Sequence, residues 1–78
     1  MKEFKVKLTS VADVRDFVQA ASMQPCDIDV VSGRYTIDAK SIMGLVSLDL
    51  NSPLNVQFRG SDEMAADFLT SVQEYIIA

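Results

Sequence analysis

No histidine occurs anywhere in the 78 residues. Its absence excludes histidine acid–base catalysis, a Ser-His-Asp triad, phosphohistidine chemistry and every metal site that relies on imidazole. Cysteine is present once, as Cys26, so no intrachain disulfide can form. A zinc site would have to be built from carboxylates alone, a poor donor set for that metal, and no metal or other cofactor is expected. No apolar run approaches the roughly 20 residues that span a bilayer, and no basic-then-apolar leader opens the chain. Neither a membrane partner nor a targeting route is therefore expected, which leaves the cytoplasm as the expected location. Seven Lys and Arg stand against eleven Asp and Glu, a formal charge of −4. The basic residues are scattered, so no nucleic-acid footprint is expected. What is present in quantity is apolar: 49% of the residues, a composition that folds. The length predicts one domain over 1–78 with a modest core.

The periodicity changes along the chain. Residues 1–8 alternate, with Phe4, Val6 and Leu8 on one face and Glu3, Lys5 and Lys7 on the other, which predicts a half-buried strand. Ser10 with Asp13 is a shortened capping box, and Val11, Val14, Phe17, Val18 and Ala21 then recur at helical spacing to about Ser22. Gln24-Pro25 ends that helix. Cys26 to Val31 and Arg34 to Ala39 alternate again, joined at Ser32-Gly33, and predict an antiparallel hairpin. A short helix is predicted from about Ser41 to Leu48. Leu54, Val56 and Phe58 mark a fourth strand. Ser61, Asp62 and Glu63 open a last helix whose stripe is Met64, Ala65, Phe68, Leu69, Val72, Tyr75 and Ile76.

The order is β-α-β-β-α-β-α. Each strand has a single apolar face, so the expected fold class is α+β: a two-layer, open-faced β-sandwich with a four-stranded antiparallel sheet covered on one side by helices. The expected core is Phe4, Val6, Phe17, Ile28, Val30, Ile37, Leu45, Val56, Phe58, Phe68, Leu69 and Val72.

The short helix is unusually oily. Ile42, Leu45 and Leu48 form one row, with Met43 and Val46 beside it. Such a helix is either buried all round or keeps one row free for a partner. The continuation of the first row to Leu50 assigns Leu45 and Leu48 to the core and leaves Met43 and Val46 as the exposed pair.

The run Lys40-Ser41-Ile42-Met43-Gly44-Leu45-Val46-Ser47-Leu48 resembles the regulatory serine helix of the histidine-containing phosphocarrier protein (HPr) family of the bacterial sugar phosphotransferase system. Phe4-Lys5-Val6 is similar to the family's first strand and Phe17-Val18-Gln19-Ala20-Ala21-Ser22 to the end of its first helix. Gly33 sits in the corresponding hairpin, and the element order is the same. The resemblance implies the family fold, a protein that is not an enzyme, and protein partners of two kinds, an HPr-type serine kinase or a transcriptional regulator. It also exposes departures. Family members carry a phosphorylatable histidine followed by Ala-Arg-Pro-Ala at the start of the first helix. Here Lys7-Leu8-Thr9-Ser10-Val11-Ala12-Asp13 is shorter and has no His, Arg or Pro, and Asp13 and Asp16 put negative charge where the family holds a phosphoryl group. Asp49 stands where the family usually closes the short helix with glycine; Asp tolerates the left-handed conformation, so the cap is expected to survive at some cost.

Two uses of the short helix follow. In the regulatory reading, Ser41 is the candidate phosphorylation site, and Lys40, Ile42, Met43 and Val46 form the candidate docking surface. A family precedent, the catabolite-repression HPr-like protein, lacks the histidine and keeps the serine. In the alternative reading the fold is a protein-binding module outside sugar transport, and Ser41 only caps a helix. A phosphocarrier with another acceptor ranks last: Ser10 and Asp13 are accounted for by capping. Asp27, Asp29, Asp38, Asp62, Glu63 and Asp67 are expected on solvated faces, and Cys26 is expected to act as a small hydrophobe.

Overall fold

The computed structural model describes residues 2–77. Four strands form, β1 (Lys2–Val6), β2 (Ile28–Ser32), β3 (Tyr35–Asp38) and β4 (Leu54–Phe58), with α1 (Val11–Ser22), α2 (Ile42–Val46), α3 (Asp62–Ser71) and a closing 3-10 turn at Gln73–Tyr75. The sheet order is β1-β4-β2-β3, antiparallel throughout. Register follows the alternation: Val6 pairs with Leu54, Val30 with Val56 and Ile28 with Phe58, which sets the apolar residues of three strands on one face. The opposite face carries Glu3, Lys5, Asn55, Gln57, Asp29, Thr36 and Asp38, and stays open to water. The fold is the expected α+β open-faced sandwich.

Each helix is started by a serine. Ser10, Ser41 and Ser61 are extended and accept from the backbone N–H three residues on, of Asp13, Gly44 and Met64. The helices cover the apolar face through Val14, Phe17 and Ala21 of α1, Leu45 of α2, and Ala65 and Phe68 of α3. Phe68 is the hub: its ring lies 6.0 Å from Phe4, 5.7 Å from Phe17 and 5.4 Å from Phe58, joining β1, α1 and β4 to α3.

Several expectations are corrected. Leu69 is half-exposed and lies outside the core, because the α3 stripe turns toward Ala65, Phe68 and Val72; Leu8, Leu54 and Ala39 are buried instead. Val11 is exposed, since as the first residue of α1 it sits beyond the reach of the sheet. The second strand begins at Ile28 rather than Cys26, which is half-buried against the core. The hairpin turn is Gly33-Arg34, one residue later than expected, with Gly33 at φ +59°. A positive φ at the first central position only is the pattern of a II′ turn, the kind that matches strand twist. The short helix stops at Val46. Its last turn tightens, with Ser47 N–H bonding to Gly44 O and Leu48 N–H to Leu45 O. No non-glycine residue among those described has positive φ, so Asp49 is not a left-handed cap; its carboxylate accepts from Asn51 N–H in a local turn.

The last helix also breaks early. The Thr70 and Ser71 hydroxyls donate back to Ala66 O and Asp67 O, and the chain leaves the helix at Val72. After the 3-10 turn it runs along the outer edge of β1. Lys7 N–H donates to Tyr75 O, Ile77 N–H to Lys5 O, and Val6 bridges Ile76.

Candidate functional site

α2 is positioned by a compact turn at the end of β3. Asp38 accepts from Lys40 N–H with its carboxylate (2.9 Å) and from Ser41 N–H with its carbonyl (2.9 Å). That reversal leaves Ser41 extended, with Oγ accepting from Gly44 N–H at 3.2 Å. Gly44 is required by closeness: a Cβ there would lie 2.5 Å from Ile37 Cγ2. Without that side chain the helix settles onto β3, and Leu45 becomes fully buried while Leu48 is half-buried. The other side faces water. Met43 is 77% exposed, Val46 39% and Ile42 37%, so the apolar row beside Ser41 is open. Ser41 itself is half-buried.

Lys40 follows a different line. Its Nζ donates to the Gln24 carbonyl at 2.8 Å, tying the end of α1 to the start of α2. Gln24 is buried, and its amide donates to Asp67 on α3 at 3.1 Å. The Lys40 charge is thus placed on the α1 end, and only its backbone borders Ser41.

At the start of α1, Asp13 Oδ2 accepts from Thr9 N–H (3.0 Å) and Thr9 Oγ1 (2.8 Å), while Ser10 Oγ caps the Asp13 N–H (3.1 Å). The box is reciprocal but offset by one residue, closing on Thr9 rather than Ser10. The Thr9 backbone N–H, followed by its hydroxyl, holds the Asp13 carboxyl below its usual value. Tyr75 places its phenol on Asp16 at 3.2 Å; burial first, then this bond to a carboxylate, raises the phenol to about 12. Ser10 and Asp13 therefore spend their polar atoms on capping. Among the described residues no cluster of three or more acids, cysteines or histidines could hold a metal.

The sequence reading missed the region around Tyr35. Alternation groups Tyr35 with Ile37 and Ala39 on one face of the third strand, yet Tyr35 is 66% exposed. The cause is sheet order: β3 lies at an edge, so the first of its inward residues overhangs the helices. Tyr35, Ile37 and Leu48, with Arg34 and Asp49, line a groove of about 420 Å³. Alternation alone carries no signal for strand order.

Solved structures with the same architecture have recorded roles. HPr-C-His from Thermoanaerobacter tengcongensis is 26% identical, with a TM-score of 0.76 over 95% of this chain and 89% of that one. A phosphocarrier protein HPr from Bacillus anthracis is 27% identical, with a TM-score of 0.70 over 97% and 96%. The Bacillus subtilis catabolite repression containing protein Crh, an intertwined dimer with a swapped domain, is 26% identical, with a TM-score of 0.66 over 94% and 88%. Comparison with curated protein sequences gives no match. The family model for the PTS HPr component phosphorylation site matches residues 5–77, nearly the whole chain, and the protein belongs to that family.

Proposed function

We propose that this HPr-family protein does not relay phosphate through histidine and acts instead as a regulatory or adaptor protein through the α2 surface. The observation that carries the reading is the open apolar row of Ile42, Met43 and Val46 beside Ser41, on a helix whose opposite side anchors in the core through Leu45. The sequence supports the first half: a chain without histidine has no imidazole to phosphorylate. Ser41 is the proposed regulatory phosphorylation site. A phosphoryl group on Oγ would meet the N–H groups of the first turn of α2, an environment that tolerates negative charge. The proposed partners are an HPr-type serine kinase or a transcriptional regulator, which would rest on Ile42, Met43 and Val46, with Lys40 fixing the turn. Methionine suits such a surface, being unbranched and adaptable.

One observation favours the second reading, in which Ser41 only caps. Its Oγ already accepts from Gly44 N–H. If capping is its whole role, Ser41→Ala costs about 1 kcal/mol and changes no partner. Docking on α2 is tested by binding an HPr-type serine kinase to the protein and to Met43→Asp and Val46→Asp. Binding weakened about tenfold or more in folded variants supports the α2 surface; equal binding sinks it.

A further inference from the structure

The two edges of the sheet are treated differently. The β1 edge is closed by the C-terminal segment, through Lys7 to Tyr75, Ile77 to Lys5 and the Val6–Ile76 bridge. Among the described residues the β3 edge has no such cover. Ser32 and Tyr35 close the two-residue hairpin and Val30 pairs with Ile37, so the backbone groups of Tyr35 and Ile37 face β2. Those of Thr36 therefore point outward, and no partner meets them among the described residues. Edge strands are protected by shortness, by charge (lysine above all), by proline or by a bulge, and β3 has only its four-residue length and the terminal Asp38. Tyr35–Asp38 contains neither lysine nor proline and pairs with β2 in unbroken register.

We propose that the β3 edge is a self-association surface, pairing antiparallel with β3 of a second copy of this chain about a two-fold axis at Thr36. The register is self-complementary. Thr36 faces Thr36 of the partner subunit and exchanges both of its free backbone hydrogen bonds. Arg34, the turn residue just before β3, comes within side-chain reach of Asp38 of the partner subunit, and the same pair recurs at the other end by symmetry. Arg34 is exposed and makes no ion pair among the described residues. One carboxylate oxygen of Asp38 accepts from Lys40 N–H, which leaves the other for a guanidinium. On the inward side, Tyr35 faces Ile37 of the partner subunit, an aromatic–aliphatic pair of the kind that stabilises antiparallel strands. Tyr35 and Ile37 both line the 420 Å³ groove with Leu48, so each exposed tyrosine finds apolar surface on the other copy. Shifting the axis by one residue, to Ile37, sets the outward-facing Thr36 and Asp38 opposite each other and leaves Arg34 without Asp38. Charge therefore selects the register centred on Thr36. Four residues make a short edge, and the dimer is expected to be weak and reversible.

Sedimentation equilibrium over a concentration series reaching millimolar tests this, with charge reversal at the two ends. The unaltered protein should dimerise with rising concentration. Arg34→Asp alone and Asp38→Arg alone each create two like-charge pairs and should weaken dimerisation about tenfold or more. An equimolar mixture of the two variants restores opposite charges at both ends and should form a heterodimer about as tightly as the original. Thr36→Pro, which removes the outward N–H, should be monomeric while retaining its circular dichroism spectrum. An unaltered protein that stays monomeric throughout overturns the proposal, as does undiminished dimerisation of the single variants. A mixture that fails to associate overturns the register. A dimer made by swapping a domain would survive all of these substitutions, so that outcome also counts against the β3 edge.

Discussion

Tyr75 shows how one side chain can tie the chain's end to its start. Its ring is buried, its phenol donates to Asp16, and its backbone carbonyl accepts from Lys7 N–H. Its pKa is raised from 10.0 to about 12, first by burial and then by the neighbouring carboxylate. A raised folded-state value means that the contribution is full below the unfolded pKa of about 10 and is lost as pH climbs toward 12. Urea titrations across that range should show falling stability. Tyr75→Phe should remove this alkaline loss and cost about 1 kcal/mol at neutral pH, the usual worth of one such hydrogen bond. Asp13 works in the opposite sense: its carboxyl is lowered, so its contribution is present above its ordinary value near 4 and fades as pH falls below it. Gly44 is a steric requirement. A methyl group at Gly44 meets Ile37 at 2.5 Å, so Gly44→Ala should destabilise the fold by about 1–3 kcal/mol despite the better helix propensity of alanine. Chemical denaturation of the variant checks this.

Among the elements, α2 divides its labour most sharply. Leu45 points into the core and Met43 away from it, two residues apart on one short helix. Leu45→Ala should cost about 2–5 kcal/mol in thermal or urea unfolding, whereas Met43→Ala should change stability by no more than about 0.5 kcal/mol. The division was legible in the sequence, because the row from Leu45 through Leu48 to Leu50 marks one side. The helix's length was not. Its end at Val46 depends on the Ser47 hydroxyl and backbone both reaching Gly44 O, a local competition that apolar periodicity does not register. The break after Ser71 has the same cause, hydroxyls bonding back to the preceding turn, and it hid the strap along β1 behind an apparently continuous stripe. The caps at Ser10, Ser41 and Ser61 could be read directly, since serine before an apolar run has one dominant local use.

For the whole molecule, alternation was enough to identify four strands and their covered face, but it says nothing about which strand lies where. β4 is last in sequence and central in space, beside both β1 and β2. That placement brings Phe58 under Phe68, and it puts β3 at an edge where Tyr35 overhangs. Phe68→Ala should cost about 3–5 kcal/mol, because three other rings lose their common contact. A loss of that size is comparable to the whole stability expected of a small domain. Within this family fold α2 packs against α1 and β3 while Met43 stays exposed, and the start of α1 is given over to capping. The regulatory reading stands or falls on Ser41, and the most direct measurement is the intact mass of the protein after incubation with an HPr-type serine kinase and ATP. The unaltered chain should gain one phosphate and Ser41→Ala none. An unchanged mass for the unaltered chain, or a phosphate on Ser41→Ala, would contradict the regulatory reading.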